Sequence, residues 1–264
     1  MMPRHRERRG IPLRAVVPNA VTALALCSGL TGVRYAIAGD WKEAATFVLI
    51  AAVLDGLDGQ IARMLKGQSR FGAELDSLAD VIAFGVSPAL LIYLWTLHDW
   101  RLGWFFSLAY AVCAALRLAR FNASIDVEEQ PHKSAGFLTG VPAPAGAALL
   151  LLPVFVTIAA PEAEYWLRNS FLIAGWTAIC ALLMVSSVAT YSWGSMRIRR
   201  SMRFTAMVVI ALAAGALVSA PWETLSALAL LYLVSIPFSF LSYRRVRALR
   251  GGAGRRPEPA SPEA

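Results

Sequence analysis

The chain has 264 residues, of which 57% are Ala, Val, Ile, Leu, Met, Phe, Trp, Tyr or Cys and 16% are charged. An ordinary soluble domain carries about 45–50% apolar residues, counted with glycine, and about 25% charged. A mean hydropathy of +0.55 in a 28.5 kDa chain argues against a soluble enzyme, excludes a disordered one, and makes the membrane the expected solvent. The net charge of +8 reads as basic cytoplasmic loops, with no nucleic-acid partner expected.

In chain order, the first ten residues are basic and an uncharged run over 15–33 follows without a small-residue cleavage site. This predicts a retained first helix rather than a removed signal peptide. Further uncharged runs lie at 81–97, 102–116, 134–161, 169–196, 204–222 and 224–243, against the roughly 20 apolar residues that cross a bilayer core. A helix over 41–65 joins them once Asp55 and Asp58 face a polar cavity. The expected fold is all-α, a polytopic membrane helix bundle of about eight transmembrane helices. It comprises a basic N-terminus (1–14), a membrane domain (15–243) and a tail (244–264) rich in Gly, Pro and charge, read as disordered. No internal repeat or soluble domain is visible.

Eight spans put both termini on one side, and that side then holds 21 of the 25 Lys and Arg, leaving only Arg34, Lys42, Arg101 and Arg168 opposite. The positive-inside rule makes the common side cytoplasmic, whereas seven spans split the clusters between the faces. Cys27, Cys113 and Cys180 stand apart in apolar runs and read as small buried residues. Pro142, Pro144 and Pro153 interrupt the fifth run and predict a kink that widens a cytoplasmic cavity. Trp41, Trp100, Trp104, Trp166 and Trp222 read as interfacial anchors, and His5 and His98 as surface residues.

The chemistry concentrates in Asp55-Gly-Leu-Asp-Gly-Gln-Ile-Ala-Arg63 and Gly72-Ala-Glu-Leu-Asp-Ser-Leu-Ala-Asp80. Ionisable residues at the ends of membrane helices are costly unless paired, hydrated or metal-bound. Asp55, Asp58, Gly59 and Ala62 fall on one helical face, and Asp76 and Asp80 are one turn apart on the next helix. A short antiparallel connection lets both pairs meet at one depth. Four oxygen donors without nearby His or Cys suit hard cations such as Mg2+ or Mn2+. Two such ions clamped by carboxylates stabilise in-line displacement at phosphorus. Gly59 and Ala62 leave room for a nucleotide and Arg63 supplies a cation, which together describe phosphoryl-group transfer at the membrane surface. An EF-hand reading fails for want of alternating loop ligands and a closing Glu. Single aspartates could be caps or interfacial residues, and the glycines alone could be packing sites.

The pattern D55-x-x-D58-G59-x-x-A62-R63-x8-G72-x3-D76-x3-D80 fixes eight residues over 26 positions and resembles the signature of the CDP-alcohol phosphatidyltransferases. The resemblance implies a six-helix core, a homodimer, two divalent cations (Mg2+ or Mn2+), and displacement of CMP from a CDP-linked lipid by an alcohol. It implies that Asp55 and Asp76 bridge both metals, that Asp58 binds the first and that Asp80 binds the second. Asp80 is also the implied base. Gly59, Arg63 and Ser69 are implied contacts of the CDP-diacylglycerol donor, with Asn19 and Thr22 in the segment Pro18-Asn-Ala-Val-Thr22 that opens the first helix.

The signature fixes donor and chemistry, not the acceptor. The segments Ala114-Ala-Leu-Arg-Leu-Ala-Arg-Phe-Asn122 and Gly136-Phe-Leu-Thr-Gly-Val-Pro-Ala-Pro144, and the opening PNAVTALALCSGLTG, are similar to the phosphatidylserine synthase branch, with Val141 where Leu is expected. That likeness implies L-serine as acceptor. Its carboxylate needs a cation, for which Arg117 and Arg120 are candidates, with Asn122 as a polar contact and His132 and Lys133 behind them. Both arginines could instead be interfacial anchors. Glycerol 3-phosphate, inositol phosphate or choline as acceptor, or a cation or proton transporter, are the competing readings.

Overall fold

The computed structural model describes residues 13–125, 137–186, 189–191 and 203–253. Residues 1–12, His132, Lys133, the arginines at 197–200 and the end of the tail lie outside the described residues. Helix α1 (Leu13–Ala38) turns into α2 (Trp41–Met64) and α3 (Arg70–Asp80) follows. A π-helical turn (Val81–Val86) joins α3 to α4 (Ser87–Trp95), and α5 is Gly103–Ile125. Then come β1 (Phe137–Thr139), α6 (Ala143–Leu150), α7 (Leu152–Ala159), α8 (Glu164–Leu167), α9 (Ser170–Val185), β2 (Ala189–Tyr191), α10 (Arg203–Ser219) and α11 (Pro221–Ala253).

The class is all-α and polytopic, but the count of eight spans is not reached. Among the described residues five helices are long and apolar enough to cross a membrane, or six if α8 and α9, bent by 86°, form one span. The fifth run yields two eight-residue helices, α6 and α7, and α10 has 17 residues, each too short to span alone. The sixth run stops being helical at Val185, eleven residues before its expected end. Ser186 and Ser187 favour helix ends, and the β-favouring Thr190 and Tyr191 follow. Residues 189–191 pair antiparallel with β1, Leu138 opposite Thr190. At the other end α11 continues to Ala253, so the tail starts as helix. Its Arg244, Arg245, Arg247 and Arg250 are good helix formers that extend the span. The first helix begins at Leu13, so Pro18 and Asn19 sit inside it rather than at its start.

Small residues bring the spans together. A Cβ on Gly32 would lie 2.9 Å from the Ala44 carbonyl oxygen, and one on Gly29 would lie 2.9 Å from the Ala83 Cα. Helix α1 is thereby wedged against α2 on one side and the π-turn on the other, the close approach that small residues permit between membrane helices. Buried Ala36, Ala44, Ala45, Val48 and Ala51 fill the α1–α2 seam. The α1–α2 turn is a Schellman cap. The Asp40 N–H donates to the Tyr35 carbonyl and the Gly39 N–H to Ala36, with Gly39 at φ +83°. Helix α2 ends the same way at the other face, Gly67 N–H to Ala62 and Lys66 N–H to Arg63, with Lys66 at φ +49°.

The fifth run is interrupted at Leu151, between α6 and α7. Pro153 has no N–H, so the carbonyl of Leu149, four residues earlier, loses its helical donor. The indole Nε1–H of Trp176 on α9 donates to that oxygen at 3.0 Å. In a membrane core no water can do this, so the neighbouring helix must. Trp176→Phe should therefore cost about 1–3 kcal/mol, read as a lower melting temperature in detergent. In a Pro153→Ala background, where residue 153 regains its own N–H, the cost should shrink. An equal cost in both backgrounds contradicts this account.

Candidate active site

Asp55 and Asp58 lie on α2 one turn apart, and Asp76 and Asp80 lie on α3, Asp80 as its last residue. The π-turn starts at the next residue. One carboxylate oxygen from each of Asp55, Asp76 and Asp80 can be chosen so that all three lie within 4.8 Å of one another, each residue half-buried. Asp58 stands outside this trio. It is 5% exposed, and its Oδ2 accepts a hydrogen bond of 2.6 Å from the Thr22 hydroxyl on α1. So short a bond is characteristic of a hydroxyl held by a charged carboxylate. Between described residues the ion pairs are His98–Asp99 and Arg168–Glu164, and neither involves the four aspartates, although Arg117 shares a cavity with Asp76 and Asp80.

Two cavities flank the aspartates. The larger, 320 Å3, is lined by Asn19, Thr22, Asp58, Gly59, Ala62, Ser69, Gly72 and Asp76, among others. Each lining position has a local reason. Position 59 has nothing within 4 Å of where a Cβ would stand, so the α2 face is open towards a ligand. A Cβ on Gly72 would come 2.7 Å from Asn19 Oδ1, so a larger residue there would displace the Asn19 side chain. Ser69 caps α3, its Oγ accepting the Gly72 N–H at 3.0 Å, which leaves its own proton to donate. The N-terminus of α3 adds a positive dipole end to the same cavity.

The smaller cavity, 180 Å3, is lined by Asp76, Ser77, Asp80, Arg117, Leu118, Phe121, Asn122 and the stretch Pro142–Pro144. Arg117 is half-buried, and its buried Nε has no hydrogen-bond partner. The Asn122 Nδ2–H donates to the Ser77 hydroxyl at 2.8 Å, which in turn donates to the Ala73 carbonyl at 3.0 Å. Asp76 belongs to both cavities, Asp58 only to the larger and Asp80 only to the smaller.

The structure thus brings Asn19, Thr22, Gly59 and Ser69 to one cavity and Arg117 and Asn122 to the other. Arg63 and Arg120 line neither. Arg63 is exposed and folds back, Nε donating to the Gly59 carbonyl at 3.0 Å. Arg120 turns to the end of α9, where its guanidinium donates to the Val185 carbonyl at 3.5 Å. That is a favourable place for a cation, since helix carbonyls gather negative potential there. Sequence reasoning missed Ser77, which sits between Asp76 and Asp80 and could be suspected from that spacing. It also missed Gln68, which lines the larger cavity from a loop with no motif of its own.

As a donor set, three clustered carboxylates with no ion pair among the described residues fit a hard divalent ion. All the donors are oxygen, and the ion supplies the charge that the protein withholds. The arrangement can therefore hold a phosphate-bearing ligand on one side of a carboxylate cluster and a small polar molecule on the other.

Comparison with known proteins agrees with this geometry. A family model described as CDP-alcohol phosphatidyltransferase matches residues 15–188, and one described as CDP-alcohol phosphatidyltransferase 2 matches residues 201–237. A Mycobacterium tuberculosis protein named CDP-diacylglycerol–serine O-phosphatidyltransferase is 38% identical over 244 residues, covering 92% of this chain and 84% of its own. A Mycobacterium leprae protein of the same name is 36% identical over 94% of this chain and 82% of its own. A Bacillus subtilis protein of that name is 32% identical over 65% of this chain and 88% of its own. With the signature, the paired cavities and these matches together, the chain belongs to the CDP-alcohol phosphatidyltransferase family.

Proposed function

We propose that this chain is an integral membrane enzyme that transfers the phosphatidyl group of CDP-diacylglycerol to L-serine, giving phosphatidylserine and CMP. The observation that carries the reading is the pair of cavities meeting at Asp76, one with Asp58 and one with Asp80 and Arg117. In-line displacement at phosphorus needs donor and acceptor on opposite sides of one charge-stabilising cluster. The mycobacterial relatives named for the serine reaction, matched over most of this chain, support the same acceptor.

In this reading the diphosphate of the donor lies in the larger cavity, at the N-terminus of α3, within reach of the Ser69 hydroxyl. Asn19 and the open face at Gly59 border the nucleotide. Serine enters the smaller cavity, which is lined by Asp80, Arg117 and Asn122. The free Nε–H of Arg117 pairs with its carboxylate, and Asn122 shapes the wall through Ser77. Asp80 takes the proton of the serine hydroxyl as that oxygen bonds to phosphorus and the bond to the CMP oxygen breaks. Asp55, Asp76 and Asp80, with Asp58 positioned by Thr22, are the residues that would hold Mg2+ or Mn2+. Such ions, when bound, neutralise charge on the attacking and leaving oxygens. Arg63 and Arg120 would reach ligands only by leaving their present carbonyl partners. The distribution of basic residues supports a cytoplasmic site with both termini on that side, which requires an even number of spans, as in the six-span count with α8 and α9 taken as one, and a homodimer completes the proposal.

Purified protein supplied with CDP-diacylglycerol and Mg2+ or Mn2+ should release CMP with serine, and not with glycerol 3-phosphate, inositol phosphate or choline. CMP release with another acceptor alone would overturn the serine assignment, and no release with any would overturn the enzyme reading. Asp80→Asn should lower turnover by at least about 100-fold, the range of a lost general base, while CDP-diacylglycerol still binds. Near-normal turnover in that variant removes Asp80 as the base.

A further inference from the structure

Pro88 sits in the first turn of α4 and has no N–H, so the carbonyl of Phe84 in the π-turn lacks the donor that an α-helix would give it. The turn itself is closed by an i→i+5 bond, the Ser87 N–H donating to the Ile82 carbonyl, which widens the helix just ahead of the proline ring. Tyr110 on α5, 0% exposed, donates its hydroxyl to the Phe84 oxygen at 3.2 Å. Its approach depends on Gly85, where a Cβ would lie 3.0 Å from the Ala114 Cβ. Tyr110, Ala114, Arg117 and Phe121 follow at i, i+4, i+7 and i+11, one face of α5. The face that ends in the smaller cavity therefore begins by holding the turn that carries Asp80.

The extra residue of a π-turn offsets the helix before it from the helix after it by about 100°, one residue's share of an α-helical turn. Asp80 is the last residue before that offset. Whatever fixes the turn fixes the direction in which Asp80 leaves α3. We propose that Tyr110 is a positioning residue: its hydroxyl holds the carbonyl from which Pro88 takes the α-helical donor, and so aims Asp80 at the acceptor. Asp58, Asn19 and Ser69 sit before the turn or on other helices, so the donor side does not depend on it. This inference rests on the serine-transfer reading given above.

The test compares Tyr110→Phe with Trp176→Phe, each of which removes an aromatic donor from a carbonyl freed by proline. Only the first touches the turn that follows Asp80. In purified protein assayed for transfer to serine, Tyr110→Phe should lower kcat about ten-fold or more, with KM for CDP-diacylglycerol within about two-fold of wild type. Trp176→Phe should lose thermal stability and keep its kcat. A Tyr110→Phe kcat within about two-fold of wild type overturns the inference. So does an equal kcat loss in both variants, or a donor KM that rises in step with the loss. Absence of wild-type turnover fails the serine reading and takes this inference with it, whereas normal wild-type turnover beside an unimpaired Tyr110→Phe fails this inference alone.

Discussion

Everything about this site follows from carboxylates held close together in an apolar bundle, with no ion pair to any described Lys or Arg. Two unit charges 4.8 Å apart repel by about 3 kcal/mol even at an effective dielectric constant near 20, and three make three such pairs. Such a cluster is relieved by sharing protons or by opposite charge supplied from outside. The architecture prepares for that. Small residues wedge α1 between α2 and the π-turn, so that Thr22 can reach Asp58 and Asn19 can border α3 at Gly72. The wedge makes two separate helices present their acidic faces to one volume.

A second constraint comes from the solvent. Proline breaks a helix anywhere, but in a bilayer the freed carbonyl has no water to turn to. Pro88 and Pro153 each free one, and each is answered by an aromatic side chain from a neighbouring helix, Tyr110 on α5 and Trp176 on α9. The two breaks do different things. One offsets α4 just beyond Asp80, and the other divides the fifth apolar run below the Pro142–Pro144 wall of the smaller cavity. Irregular helix is thus found beside the reaction volume.

Much of this was legible in the sequence because charge in an apolar chain is conspicuous. The four aspartates, their faces, the short connection and the proline interruption needed only periodicity and the cost of burying charge. Asn19, Thr22, Gly59 and Ser69 came from the family resemblance, and the structure gathers them in one cavity. What stayed hidden depends on contacts between segments distant in the chain. The pairing of β1 with β2 ends the sixth run early, and no local signal announces a partner about 50 residues away. Arg63 and Arg120 look like ligands by position, but each side chain has a nearby carbonyl to satisfy first. The count of eight is not confirmed among the described residues because α6, α7 and α10 are individually short, which an uncharged run cannot reveal. Tyr110 reads as one more aromatic residue until Pro88 is seen to take the α-helical donor from a carbonyl.

The central claim is that the aspartates form one metal-holding cluster at the boundary of the two cavities, with Asp76 common to both. Titration of the metal-free protein with Mn2+, followed by electron paramagnetic resonance without substrate, tests it directly. The account predicts saturable binding of two ions per chain in the wild type and loss of tight binding in Asp76→Asn. Binding in Asp76→Asn indistinguishable from wild type would contradict it.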